Sequence, residues 1–273
     1  MAEWRRQTVQ WHPARDYSRP MPVARQPLSA VLITLNAASQ LEECLRSVAF
    51  CDEIVLVDSG STDGTVELAE RFGARVICSK WRGFGAQKQF AVEQAAHDWV
   101  LCVDVDERVS VNLRASIESV LEAPPLPAYR FARCNLFMGR YLRHGEGYPD
   151  WSLRLFDRRH GRWSDDVIHE KVTVTSEVAT LAGDLLHDSA ETLDAYLAKQ
   201  NRYTTLAAQE AIAKGRRATA AHILISPLMR FLKFYFIRLG MLDGLPGLIH
   251  IAIGCGNSFV KYAKMISFQA DKQ

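Results

Sequence analysis

The chain has 273 residues, of which 48% are hydrophobic, 23% charged and 10% aromatic. That composition excludes a disordered, collagen-like or low-complexity chain and suits one large domain, or a domain with an appendage. Thirty-three Lys and Arg against 31 Asp and Glu leave a formal charge of +2, which argues against a dedicated nucleic-acid binder.

In chain order, residues 1–27 hold five Arg and four Pro without an apolar core, which predicts a flexible leader rather than a signal peptide. From about residue 28 to 120, strands and helices alternate. Apolar runs at Ser29 to Leu35, Glu53 to Val57, Arg75 to Cys78 and Trp99 to Val103 read as strands. Helical stripes separate them, at Leu41, Leu45 and Val48, then at Val66, Ala69 and Phe72, then around Phe90 and Ala91. That grammar means an α/β fold with a mostly parallel sheet. After Pro124-Pro125 come shorter β-rich segments, at Tyr129 to Phe137, Ser152 to Phe156, Lys171 to Thr175 and Thr180 to Leu186. From Glu191 the chain turns helical.

The six cysteines are scattered with no CxxC pair. Cys44 and Cys102 fall in apolar runs and read as core residues of a reduced, cytosol-facing protein. No transmembrane helix is expected: the longest uncharged stretch, 244–260, is 17 residues and contains four Gly and a Pro.

Ligands of open α/β sheets bind beyond the carboxyl ends of the strands. Three polar clusters fall there: Thr34 with Asn36, the run Asp58-Ser59-Gly60-Ser61-Thr62-Asp63-Gly64, and Asp104-Val105-Asp106-Glu107. Two carboxylates one residue apart can present oxygens to one hard cation, Mg²⁺ or Mn²⁺, that also binds a diphosphate. The plainer reading is that Asp106 and Glu107 cap a helix beginning near Ser110. Asp58 and its neighbours either cap the helix near Thr65 or hydrogen-bond a base or ribose. Gly83-Phe84-Gly85-Ala86-Gln87-Lys88 lacks the third glycine of a dinucleotide fingerprint and the Gly-Lys-Ser/Thr of a P-loop, which sets aside NAD binding and ATPase activity. It leaves a glycine-permitted loop with Lys88 able to reach a phosphate.

Together, Thr34-Leu35-Asn36, the Asp58 run and Asp104-Val105-Asp106-Glu107 resemble the inverting family 2 glycosyltransferases of the GT-A fold, over roughly residues 28–190. The Gly83 loop, Trp151-Ser152-Leu153-Arg154-Leu155-Phe156 and His169-Glu170 look like the bacterial lipopolysaccharide-core β-glucosyltransferase branch. The resemblance implies a GT-A catalytic domain at 28–190, with a mostly parallel central sheet and flanking helices. Thr34, Asn36 and Asp58 would hold the nucleoside, and Lys88 the donor. Asp104 and Asp106 would bind Mg²⁺ or Mn²⁺ with the diphosphate, His187 would complete the metal site, and Arg154 and Arg158 would pair with the diphosphate or with an anionic acceptor. Glu170 would be the general base of an inverting transfer. The implied reaction moves a hexose from a nucleotide diphosphate sugar, UDP-glucose by the branch, to a lipid-anchored core saccharide. Two departures touch the donor contacts: Ala37-Ala38 replaces acidic residues, and Gln89 stands where Asn is common.

Residues 191–273 read as a helical, basic, amphipathic segment. Between 211 and 266 there are eight basic residues and one acid, Asp243, so the rest of the chain is net acidic. Leu228, Phe231, Leu232, Tyr235, Phe236 and Leu239 share one helical face, with Arg230, Lys233 and Arg238 opposite. Such helices lie in a membrane interface and are drawn to anionic lipid. The alternative is a helix that packs its apolar face on the catalytic domain. The first places the protein peripherally on the cytoplasmic face of the inner membrane. Rival functions are transfer to a polyprenyl phosphate or another envelope polysaccharide, and a membrane-peripheral scaffold with a degenerate site. A phosphatase with an Asp nucleophile in a DxDGT loop is set aside, because Ser-Gly follows Asp58.

Overall fold

A computed structural model describes residues 25–164, 166 and 170–270, so residues 1–24 of the expected leader lie outside the described residues. The first half alternates as the apolar periodicity requires: β1 (Leu28–Thr34), α1 (Ala38–Val48), β2 (Glu53–Asp58), α2 (Thr65–Arg71), β3 (Arg75–Cys78), α3 (Phe84–Gln94) and β4 (Trp99–Cys102). Then come β5 (Glu107–Val109), α4 (Val111–Glu122), β6 (Ala128–Phe137), β7 (Arg140–Tyr141), β8 (Asp150–Asp157), β9 (Gly161–Trp163), β10 (Val172–Val174) and β11 (Ala179–His187). Three helices close the chain: α5 (Leu193–Ala213), α6 (Ala220–Phe231) and α7 (Gly244–Ala270).

The main sheet runs β3-β2-β1-β4-β8-β6-β11-β5, with β7 on β6. Its first four strands are parallel; β1, β2 and β4 are largely buried, and their near-continuous Val, Leu and Ile runs suit a sheet covered on both faces, while β3 is the part-exposed edge strand. The antiparallel β8 joins them to the second half, where β6 and β11 are parallel. One face packs on α1 and α4 through Leu41, Leu45, Val48, Leu113, Ile117 and Leu121. The other packs on α3 and β9 through Ala91, Val92 and Trp163. The α/β class and the mostly parallel sheet expected from the sequence are therefore present, with Cys44 and Cys102 buried inside.

The expected capping role of Asp106 and Glu107 gives way to a different arrangement. Ser110 caps α4 itself, its hydroxyl accepting from the Leu113 N–H at 3.3 Å. Glu107 instead enters β5, which pairs with β11, and its side chain is fully buried.

The carboxy-terminal helices are pinned to the segment 144–148 by polar contacts. Asp243 accepts from the His144 N–H at 2.8 Å, and Arg230 pairs with Glu146. Arg238 donates to the Tyr148 carbonyl at 2.9 Å, and Gly145 donates to the Arg238 carbonyl at 2.8 Å. A Cβ on Gly240 would stand 2.7 Å from the Phe234 carbonyl oxygen and 3.2 Å from Gly145 Cα, so glycine allows this close backbone approach. Arg230 of α6 and Arg238 beyond it thus turn toward the segment 145–148, while Lys233 and the apolar side of α6 are exposed. No residue of α6 is buried; Leu224 is 74% exposed, and Ile237, in the π-helical turn that continues it, is 77% exposed. The run Ala220–Ile237 is long and apolar enough, by length and composition, to cross a membrane. The sequence reading passed over it because Arg230 and Lys233 interrupt it.

Candidate active site

The carboxyl ends of β1 and β2 meet in a tightly laced loop. Asp58 is buried. Its Oδ2 accepts from the N–H groups of Gly60 and Ser61, both at 2.8 Å, and its Oδ1 accepts from Thr34 Oγ1 at 2.9 Å and from the Ser61 hydroxyl. A carboxylate offers about four acceptor positions, so these donors fill it. Burial works to raise the Asp58 carboxyl, but the bonds from Ser61, Gly60 and Thr34 outweigh it and hold the group below the usual range. Asn36 stands beside this loop, exposed and at φ +52°, its Oδ1 accepting from the Thr62 N–H at 2.9 Å. Thr34, Asn36 and Asp58 therefore come together as expected. Here all four of the Asp58 bonds run to Thr34, Gly60 and Ser61 of the loop itself. Asp58 does not cap α2: Asp63 accepts from the Thr65 N–H at 3.1 Å.

A second cluster centres on Asp104, beyond β4. Lys88 reaches it from the first turns of α3. That helix sits close to the chain after β9 because a Cβ on Gly85 would stand 2.3 Å from the Ser164 carbonyl oxygen. Lys88 Nζ lies 3.1 Å from Asp104 Oδ1 and 3.4 Å from Glu170 Oε1. Arg154, on β8, donates through Nη2 to Asp104 at 2.8 Å and to the buried Glu107 at 3.1 Å. Its Nη1 is buried and has no hydrogen-bond partner among the described residues. Burial works to raise the Asp104 carboxyl, but the Arg154 and Lys88 charges outweigh it and hold the group well below its ordinary value. Burial pushes the Glu107 carboxyl up despite Arg154. Trp163 lies against both cations, with its ring 4.8 Å from Lys88 Nζ and 5.4 Å from Arg154 Cζ.

These groups open into a cleft of about 940 Å³, lined among others by Lys88, Asp104, Arg154, Trp151 and Glu170. His169 lies outside the described residues. The sequence offers Glu107 only as a helix cap and gives no role to Trp163 or to Arg133, which approaches Glu107 at 3.8 Å. The only signal available was the position of Glu107 directly after the Asp104-Val105-Asp106 run.

The third cluster joins Asp106 to the end of β11. His187 Nε2 faces Asp106 Oδ2 at 3.2 Å, and its Nδ1 lies 2.7 Å from Asn135 Oδ1. An Nδ1–H donated to Asn135 Oδ1 would leave Nε2 beside Asp106 to ligate a cation, and a contact of this kind orients a metal-ligating histidine. The described residues contain no cluster of three His, Cys, Asp or Glu ligands. A hard cation held by one carboxylate and one imidazole would complete its shell with phosphate oxygens and water. The donor set fits on those terms. The other expected ligand, Asp104, is engaged here by Lys88 and Arg154.

The glycosyl transferase family 2 model matches residues 29–172. Over 258 residues, 92% of this chain and 96% of the relative, the sequence is 33% identical to the lipopolysaccharide core biosynthesis glycosyltransferase LpsC of Rhizobium meliloti (strain 1021). It is 29% identical to an uncharacterized glycosyltransferase of Rickettsia bellii (strain RML369-C), over 87% of this chain and 85% of that one. Among solved structures it is similar to the mannosyltransferase PcManGT from Pyrobaculum calidifontis in complex with GDP-Man and Mn²⁺, at 17% identity and a TM-score of 0.48, covering 93% and 90% of the two chains.

Proposed function

The chain belongs to glycosyl transferase family 2, and from that premise we propose that it is a metal-dependent, inverting enzyme that moves a hexose, glucose first among the candidates, from a nucleotide diphosphate sugar to a saccharide of the lipopolysaccharide core. The observation that carries this reading is the convergence of Lys88, Asp104, Arg154 and Glu170 on one cleft. The 33% identity to a lipopolysaccharide core enzyme supports the acceptor class.

Glu170 takes the proton of the acceptor hydroxyl as that oxygen attacks the anomeric carbon. The new C–O bond forms while the bond to the diphosphate breaks, and the electron pair leaves on the diphosphate. Attack from the face opposite the leaving group turns an α-linked donor into a β-linked product. A single carboxylate suffices, since no covalent glycosyl-enzyme forms. Lys88 and Arg154 supply positive charge to the leaving diphosphate, and Asp104 holds both cations in place. Asp106 and His187 would hold Mg²⁺ or Mn²⁺, which when bound neutralises charge on the leaving group. Thr34 and Asn36 face the nucleoside, with Asp58 shaping the loop from within.

The outward apolar side of α6 supports a peripheral position on a membrane, here the cytoplasmic face of the inner membrane, where a lipid-anchored acceptor lies. Exposed Lys233, Arg216 and Arg217 suit anionic headgroups.

A donor screen tests the enzymatic reading. Purified protein, Mg²⁺ or Mn²⁺ and a panel of nucleotide sugars are incubated with core oligosaccharide, and nucleotide release is followed. Release from UDP-glucose that stops with EDTA is expected; no turnover of any donor overturns the proposal.

A further inference from the structure

A second cleft, of about 630 Å³, adjoins the first and shares Arg133 and Tyr203 with it. Its walls come from both halves of the protein: the ends of β6 and β11, helix α5 and His250 of α7. His187, the proposed metal ligand, opens onto it from one side. None of the roles described above uses this space.

Its chemistry is specific. Phe137, Tyr196 and His250 form an aromatic group, with ring centroids 5.4 Å apart for Phe137 and Tyr196 and 5.2 Å for Phe137 and His250. Burial, with Arg230 nearby, lowers the His250 pKa, so this ring is neutral at neutral pH. The charged lining residues balance, with Arg133 and Lys199 against Asp188 and Glu191, and Lys199 lies 3.6 Å from Glu191. Away from the His187 edge, this balanced lining does not single out an anionic ligand. Aromatic faces present a flat apolar surface to the C–H face of a pyranose, and paired donors and acceptors at the rim match its hydroxyls.

We propose that this cleft binds neutral sugar units of the acceptor saccharide, with Tyr196 as the stacking residue, and feeds the reacting hydroxyl toward Glu170. The inference rests on the transferase reading above and adds the acceptor's place and chemistry. Arg133 and Tyr203 line both clefts, so a saccharide bound in one lies beside the other.

Two readouts test it. In the first, saturation-transfer NMR follows the water-soluble core oligosaccharide, released from lipopolysaccharide by mild acid, binding to the full chain without donor. Tyr196→Ala is expected to weaken binding about tenfold, and Tyr196→Phe, which keeps the ring, to retain it. Ser189→Trp, at an exposed lining position, fills the cleft from outside and is expected to weaken binding to the same degree without disturbing the core. In the second, kinetics are expected to show the loss as a rise in acceptor KM, with donor KM within twofold of wild type. Unchanged binding in both Tyr196→Ala and Ser189→Trp overturns the proposal. So does binding confined to probes carrying an acyl chain, which would assign the cleft to lipid. If wild type turns over no donor, the transferase reading fails, while the NMR arm still decides the saccharide site.

Discussion

Lys88 donates to Glu170 at 3.4 Å, joining α3 to a residue 82 positions further along the chain. The same ammonium also touches Asp104, so one cation links the proposed base to the site of the diphosphate. The two residues therefore divide the work. Glu170→Gln is expected to lower kcat by about 10²- to 10⁴-fold while donor affinity stays within twofold. Lys88→Met is expected to weaken donor binding itself. Isothermal titration with donor, beside transfer rates, separates the two, and an active Glu170→Gln enzyme would place the base elsewhere.

The Asn135–His187 contact gives a test of the metal site that leaves both ligands intact. Asn135→Leu removes the acceptor that orients the imidazole. Affinity for Mn²⁺, measured by titration in the presence of nucleoside diphosphate, is expected to fall about 10- to 100-fold. Unchanged affinity would argue against His187 as a ligand.

Asp58 carries an effect on stability. Replacing it by Asn leaves at least two of its four donors without an acceptor, at about 1–3 kcal/mol for each buried group. The folded-state pKa of Asp58 lies below the unfolded value of about 3.9. Its contribution is therefore fully present above that value and is lost as pH falls through the folded pKa. Melting curves between pH 7 and pH 3 are expected to show wild type losing more stability than Asp58→Asn, with the two converging in acid.

The alternation of apolar runs made the first half of the fold legible, because strands buried on both faces carry their pattern in the sequence. The three-residue β5 was not legible: Glu107, Arg108 and Val109 form no apolar run, and pairing with β11 alone makes them a strand. In the site, Lys88, Asp104, Arg154 and Glu170 were all marked by motifs. Trp163 was not, since its place against Lys88 and Arg154 arises only when β9 packs on α3. The basic residues of α6 were legible as a face but not in direction. Arg230 and Arg238 turn inward to Glu146 and Tyr148, and only tertiary docking decides that.

That direction yields a fourth expectation. With the apolar side of α6 and its π-helical continuation outward, Leu224 and Ile237 are the residues to meet lipid. Burying each in an interface is worth about 1.5–3 kcal/mol. Leu224→Glu with Ile237→Glu is expected to cut flotation with anionic vesicles more than tenfold, while the protein stays folded by circular dichroism. Raised salt is expected to reduce wild-type flotation only in part, because salt screens the exposed Arg216, Arg217 and Lys233 but not the apolar contact of Leu224 and Ile237.

The stereochemistry of the product tests the central claim most directly. Wild-type enzyme, an α-linked nucleotide sugar and core oligosaccharide are incubated with Mn²⁺, and the new anomeric linkage is read by NMR. Direct displacement with Glu170 as base gives a β-linked product from the first turnover. An α-linked product would contradict inversion and, with it, the single-carboxylate mechanism.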